Sequence, residues 1–233
     1  MAVEIISRFQ NASAREDEKE KFGLLKSISF VRCPESFRFL ETQINNSHSE
    51  TDRCNALVNL AWMLDSDELP VIQQYANKLS LSVQEKSAVA AALMIYGVHD
   101  SLPRLVARSL QMLDEICSDT SLYVLENCIV SYFLEGGNSA LKFFTSQLQQ
   151  EKYKLYAALF LARLGEHKQT FPIFAVALNS EDDYEVHTAI LGLAAMGTEE
   201  AVQLIANLPP EKNRYSPKKM RWSFNFTNFN ERR

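Results

Sequence analysis

A chain of 233 residues, 46% of them hydrophobic, carries enough apolar material for one or two cores at about 150 residues per domain, which excludes a disordered chain. Twenty-four basic residues stand against 29 acidic ones, a net charge of −5, so the molecule as a whole is not the basic object that a sequence-independent nucleic-acid binder tends to be. With only 7 glycines a fold of many tight hairpin turns is excluded, and the longest uncharged stretches, 13 residues each at 87–99 and 186–198, fall short of the roughly 18 needed to cross a bilayer.

The chain opens on Met1-Ala2-Val3-Glu4-Ile5-Ile6 and soon meets the charged run 15–21, without the basic cap, apolar stretch and cleavage site of an export leader. The expectation is a cytoplasmic protein, in which the sequons at Asn11, Asn45 and Asn225 carry no glycan. Cys33, Cys54, Cys117 and Cys128 stand far apart with no C-x-x-C, and buried free thiols are expected.

Apolar residues recur at intervals of three and four. Leu57, Leu60, Ala61 and Leu64 form one such stripe, then Ala88, Ala91, Ala92 and Ile95, then Leu155, Ala158, Leu161 and Ala162, then Ala189, Leu193 and Met196. That spacing lays one apolar face along a helix. Residues 154–165 overlay 186–197 without a gap at an offset of 32, and 56–65 overlays 88–97 at the same offset; 127–136 is a weaker copy. After each of these helices a second is expected to start on proline or alanine. Pro34, Pro70, Pro103 and Pro172 fall at that slot, where a helix has no use for the missing N–H. Ser82-Val83-Gln84-Glu85 reads as a capping box, Thr198 as a cap, and Gly97, Gly136, Gly165 and Gly197 as left-handed stops. Helix pairs are therefore predicted at 13–46, 51–80, 83–116, 120–150, 152–179 and 183–208.

Hairpins repeating every 30 to 40 residues are the mark of an α-solenoid, since a hairpin cannot bury its apolar stripe alone and does so on its neighbours. The predicted fold is all-α, a right-handed α-solenoid of about six helical hairpins over 1–208, followed by a tail at 209–233. The small residues Ala88, Ala91, Ala92, Ala157, Ala158, Ala162, Ala189 and Ala194 would let successive first helices approach closely.

Residues 179–197, with an acidic turn, a valine-led helix, Ala189-x-x-x-Leu193 and the closing Gly197, resemble the HEAT-repeat family, in particular its short HEAT-like type also found in phycobilin lyases. His187 stands where that family usually has arginine, and Tyr184 where it often has proline. The likeness spans 51–208 loosely and 152–208 well. It implies an armadillo-like superhelix, and a non-enzymatic protein-binding scaffold or adaptor, of the kind seen in bacterial regulatory or immunity-type proteins, as the first expectation for function. The alternative it implies is a nucleic-acid-associated protein such as a DNA glycosylase of this fold. That would need a continuous basic groove, whereas residues 1–208 carry 17 basic and 27 acidic side chains.

His48, His99, His167 and His187 are too far apart for metal-ligand spacing, and no phosphate-binding glycine loop or nucleophile elbow occurs. No metal, cofactor or catalytic residue is expected. Asp65, Asp67 and Glu68, like Glu181, Asp182 and Asp183, sit at helix starts and read as caps for backbone amides; His99 reads as a helix-end residue.

In HEAT-like pairs the second helices line the inner surface. The likeness therefore assigns partner binding to Gln74, Asn77, Lys78, Arg104, Arg108, Gln111, Lys142 and Gln147, a mildly cationic strip suited to an acidic protein surface or peptide. The tail is different in kind. From Pro209 onward seven basic residues face two acidic ones, and Lys218, Lys219, Arg221, Trp222, Phe224 and Phe226 form its basic aromatic centre. Three readings stand for it: a cap on the terminal repeat, a partner-binding peptide, or a nucleic-acid contact.

Overall fold

The computed structural model describes residues 1–64, 68–116 and 121–209. Among the described residues there are thirteen helices and no strand, so the fold is all-α. They fall into two compact units, Met1–Glu135 and a second beginning at Gly136, where the sequence reading drew one body over 1–208. The first unit holds α1 (Ala2–Ala14), α2 (Glu18–Ser29), α3 (Pro34–Asn46), α4 (Glu50–Ala61), α5 (Leu69–Ala76), α6 (Val83–His99), α7 (Pro103–Ile116) and α8 (Leu122–Glu135). The second holds α9 (Asn138–Gln147), α10 (Glu151–Arg163), α11 (His167–Ala177), α12 (Asp183–Met196) and α13 (Glu199–Ala206).

In the first unit α6 is the central element. Its capping box forms as the sequence predicts: Glu85 N–H donates to Ser82 Oγ at 3.1 Å, and Ser82 N–H donates to the Glu85 carboxylate at 3.2 Å. From Ser87 to Gly97 every residue is buried, because α6 packs against α4, α7 and α8. A helix enclosed on that many sides has to be apolar all round rather than along one stripe, and the run Ala88-Val89-Ala90-Ala91-Ala92-Leu93 is. Small side chains at 88, 90, 91 and 92 let the neighbours come close.

Three polar contacts join residues at one common separation. Arg53 Nη2 meets Glu85 Oε1 at 3.1 Å, Ser82 Oγ donates to Glu50, and Arg108 Nη2 donates to the Ala76 carbonyl at 3.1 Å, each pair 32 residues apart. Tyr75 and Tyr96, both fully buried, donate their hydroxyls to Glu85 and Glu68. Lys21 on α2 is buried against Asp52 on α4 at 2.7 Å. Burial alone would lower the Lys21 pKa, but hydrogen bonds and charge from Asp52 and Glu18 raise it above the ordinary lysine value.

In the second unit α10, α11 and α12 share one core, in which Ala158, Ala162, Phe174, Ala189, Ile190 and Leu193 are buried. Each large aliphatic side chain removed from water there contributes about 1.5–3 kcal/mol. The Phe174 ring lies directly on Gly192, at a place where no β-carbon fits. Asp182 accepts the Tyr184 N–H at 2.8 Å and Thr198 Oγ1 the Ala201 N–H at 3.3 Å, so both predicted caps form.

Five expectations need correction. The stretch before residue 47 holds three helices, not one pair starting at 13. α1 buries Ala2, Phe9 and Ala12, and Glu20 ties it to α2 by accepting from Arg8 (2.9 Å) and Arg15 (2.6 Å). Gly97 is no stop: α6 runs on to His99, and Ser101 takes the left-handed conformation (φ 55°). Gly97 serves instead as a contact surface, since a β-carbon there would come within 2.7 Å of Val106 Cγ2. Gly136, Gly165 and Gly197 do have positive φ, as read. Pro172 lies inside α11 rather than at its start, because Gly165 ends α10 and the chain re-enters helix at His167. Glu68 does not cap a helix; it is 1% exposed, with its carboxylate turned inward to the Tyr96 hydroxyl. Cys54 and Cys128 are buried as expected, but Cys33 is only half-buried, at the start of α3. Asp65, Asp67 and Cys117 lie outside the described residues.

Candidate functional site

The cationic strip is assembled in the first unit from α5, α7 and the turn after α5. Pro70 and Pro103, 33 residues apart, each stand in a first helical turn, of α5 and of α7. On α7, Arg104, Arg108 and Gln111 recur at four and three residues and so share one face. The buried positions of α7, Ser109, Leu113 and Ile116, take the opposite side, and Ser109 Oγ donates to the Ala90 carbonyl of α6 at 2.7 Å.

Arg108 is the link between the two helices. Its guanidinium donates to the Ala76 carbonyl and, at 2.9 Å, to Asn77 Oδ1, so the end of α5 is tied to the exposed face of α7. Lys78 follows directly, with Nζ 3.4 Å from the centre of the Tyr75 ring. Burial pulls the Lys78 pKa below the ordinary lysine value; the Glu85 charge opposes that and the Arg53 charge adds to it. Gln74, Asn77, Lys78, Arg104 and Gln111 are exposed and Arg108 is half-buried. Leu79, fully exposed beside Lys78, adds an apolar tip. The far end of α7 is acidic, with Asp114 and Glu115, and Glu115 pairs with Lys86 at 3.0 Å. Positive charge is thus concentrated at the N-terminal half of α7 and the C-terminal end of α5.

Of the eight predicted contact residues, Arg108 and Asn77 are joined directly, and Gln74, Lys78, Arg104 and Gln111 are exposed in the same unit. Lys142 is exposed on α9 in the second unit, and Gln147, on the same helix, is buried with its side-chain oxygen facing protein. Gln147 is unavailable to a partner, which corrects its assignment. Its position is five residues past Lys142, too far round the helix to share its face. Lys218, Lys219, Arg221, Trp222, Phe224 and Phe226 lie outside the described residues.

Sequence reasoning missed a second feature, a cleft of about 340 Å³ lined by Arg32, Cys33, Pro34, Phe37, Met63, Leu64 and Glu68. Cys33 Sγ lies 3.3 Å from Ser36 Oγ, and Leu64 holds a left-handed conformation (φ 58°) on its wall. Two of its lining residues are charged, Arg32 and Glu68, and the Glu68 carboxylate accepts from the Tyr96 hydroxyl. The one signal was Cys33-Pro34 at a helix start, which fixes the thiol there but says nothing of a residue 35 positions away. Among the described residues no cluster of His, Cys, Asp and Glu could hold a metal ion, and no helix is long and apolar enough to cross a membrane. No protein-family model matches the chain, and no curated protein matches it in sequence.

Proposed function

We propose that this chain is a non-enzymatic protein-binding scaffold, a right-handed α-solenoid of HEAT-like type, whose α5–α7 face receives an acidic surface or peptide of another protein. The observation that carries the proposal is the Arg108 bridge. It orders the end of α5 against α7, and Lys78, Arg104 and the three amides Gln74, Asn77 and Gln111 are on the same two helices and the turn after α5. A partner carboxylate meeting the exposed Lys78 and Arg104 side chains gains charge-assisted hydrogen bonds. The hydrogen bonds 32 residues apart and the α4–α6–α8 packing support the repeat reading in the first unit.

Affinity capture on the immobilised chain, with quantitative mass spectrometry, tests this by comparing the wild type with Arg104→Glu. Arg104 is exposed and forms no part of the core, so the variant keeps its fold. A binder that is lost in the variant, and that loses affinity for the purified wild type as salt rises, supports the α5–α7 face. Equal recovery by both forms contradicts it. Lys142→Glu asks separately whether α9 takes part.

A further inference from the structure

We propose that the cavity formed by α1 and the start of α2 binds the phosphate of a small phosphate monoester, held by Arg8 and Arg15 in the place that the Glu20 carboxylate takes in this structure. The cavity measures about 430 Å³ and is lined by Arg8, Asn11, Ala14, Arg15 and Glu20. That is at the lower end of the range of about 300–1,000 Å³ found for small-molecule sites, so it admits a phosphate together with part of the group that carries it. Arg8, Asn11 and Arg15 follow one another at three and four residues and so share one face of α1 and its C-cap. The two guanidiniums already converge on a single oxyanion. Arg8 Nη2 donates to Glu20 Oε1 at 2.9 Å and Arg15 Nη2 to Glu20 Oε2 at 2.6 Å, one guanidinium to each carboxylate oxygen.

Charge and donors are both left over. Two positive side chains line the cavity with a single negative one. Among the described residues Arg8 uses one N–H, and Arg15 uses two, the second from Nε to the Asn11 carbonyl at 3.3 Å. Both side chains are largely exposed, so the rest of each fork is open to solvent. The acids of the turn between the helices do not line the cavity: Asp17 accepts the Glu20 N–H at 3.0 Å, and Glu18 meets Lys21 Nζ at 3.0 Å. A phosphate monoester brings about two negative charges and three terminal oxygens, which matches two guanidiniums better than one carboxylate does. A carboxylate from solution would only repeat the contacts that Glu20 makes from within the chain, without the benefit of the tether. Exposed ion pairs such as these contribute little, so the phosphate displaces Glu20 at small cost, while α1 stays packed through Ala2, Phe9 and Ala12.

Titration of the full chain with phenyl phosphate, followed through the nitrogen–proton signals of the two guanidinium groups, tests this; the signals are assigned by their loss in Arg8→Gln and Arg15→Gln. Both should move together and saturate with one dissociation constant. Benzoate and dimethyl phosphate, which carry a single negative charge, should move neither at the same concentrations. Arg8→Gln and Arg15→Gln are each expected to weaken binding at least about fivefold. Arg32→Gln, at an exposed arginine outside the cavity, should leave it unchanged. Glu20→Gln removes the competing carboxylate, and affinity should rise at least about threefold. Circular dichroism confirms that every variant keeps its helices. Signals that do not saturate overturn the proposal, as does an equal response to benzoate or to dimethyl phosphate. So does binding that survives both arginine substitutions, which would put the phosphate elsewhere, or a weaker complex in Glu20→Gln.

Discussion

Arg53 and Glu85, 32 residues apart, are joined at 3.1 Å, and the Tyr75 hydroxyl donates to the same Glu85 oxygen at 2.5 Å. One carboxylate thus holds α4, the end of α5 and the start of α6, while also closing the capping box of α6. Burial alone would raise the Glu85 pKa. The Tyr75 hydroxyl, the Ser82 N–H and the Arg53 guanidinium outweigh it and hold the carboxyl below its ordinary 4.5.

A carboxylate whose pKa is lower when folded contributes stability that is complete above its unfolded value and is lost as pH falls through the folded one. Urea unfolding of Glu85→Gln is therefore expected to show a deficit of about 1–3 kcal/mol at pH 7. That deficit should shrink as pH drops below 4.5. A deficit unchanged down to the acid transition would mean that the charge of Glu85 has no part in it.

Gly97→Ala sets two effects of opposite sign against each other. Alanine inside a helix gains about 1 kcal/mol over glycine. The new methyl, however, would sit 2.7 Å from Val106 Cγ2 and 2.9 Å from the Val106 nitrogen, and backbone cannot step aside as a side chain can. Overpacking of that kind costs about 1–3 kcal/mol, so the variant should melt below the wild type. A higher melting temperature would show that α6 and α7 stand further apart than described.

Ala189 is fully buried in the core shared by α10, α11 and α12. Ala189→Asp places an unpaired carboxylate among Ala158, Phe174 and Leu193, a change expected to cost more than about 4 kcal/mol and to abolish the cooperative transition of the second unit. Thermal melting followed by circular dichroism reads the effect. A melt that matches the wild type would remove the packing of α10 on α12.

Much of the fold was legible because helix caps and apolar spacing are local properties. Ser82 with Glu85, Asp182, Thr198, Gly165 and Gly197 each act through residues within four positions, and each is found as read. Two of the failures involve distant partners. Gly97 and a stop glycine look alike in sequence, and the difference is Val106 arriving from the next helix. Glu68 looks like a cap until Tyr96, 28 residues on, claims its carboxylate. α1 was overlooked although Ala2, Phe9 and Ala12 keep helical spacing, since it lies outside the repeat that guided the partition. At the candidate site, the exposure of Arg104 and Gln111 followed from α7 being amphipathic, and that of Lys78 from its place in the turn after α5. The Arg108 bridge to Asn77 and the burial of Gln147 depend on how helices meet, which no local pattern encodes.

The cationic face is tested most directly by titrating the protein recovered on the wild-type chain, once purified, against the wild type and Arg104→Glu by calorimetry. Loss of one charge-assisted contact and its replacement by a repelling carboxylate should weaken binding at least about tenfold, with thermal stability within about 0.5 kcal/mol of the wild type. Equal dissociation constants for the two forms would contradict the account.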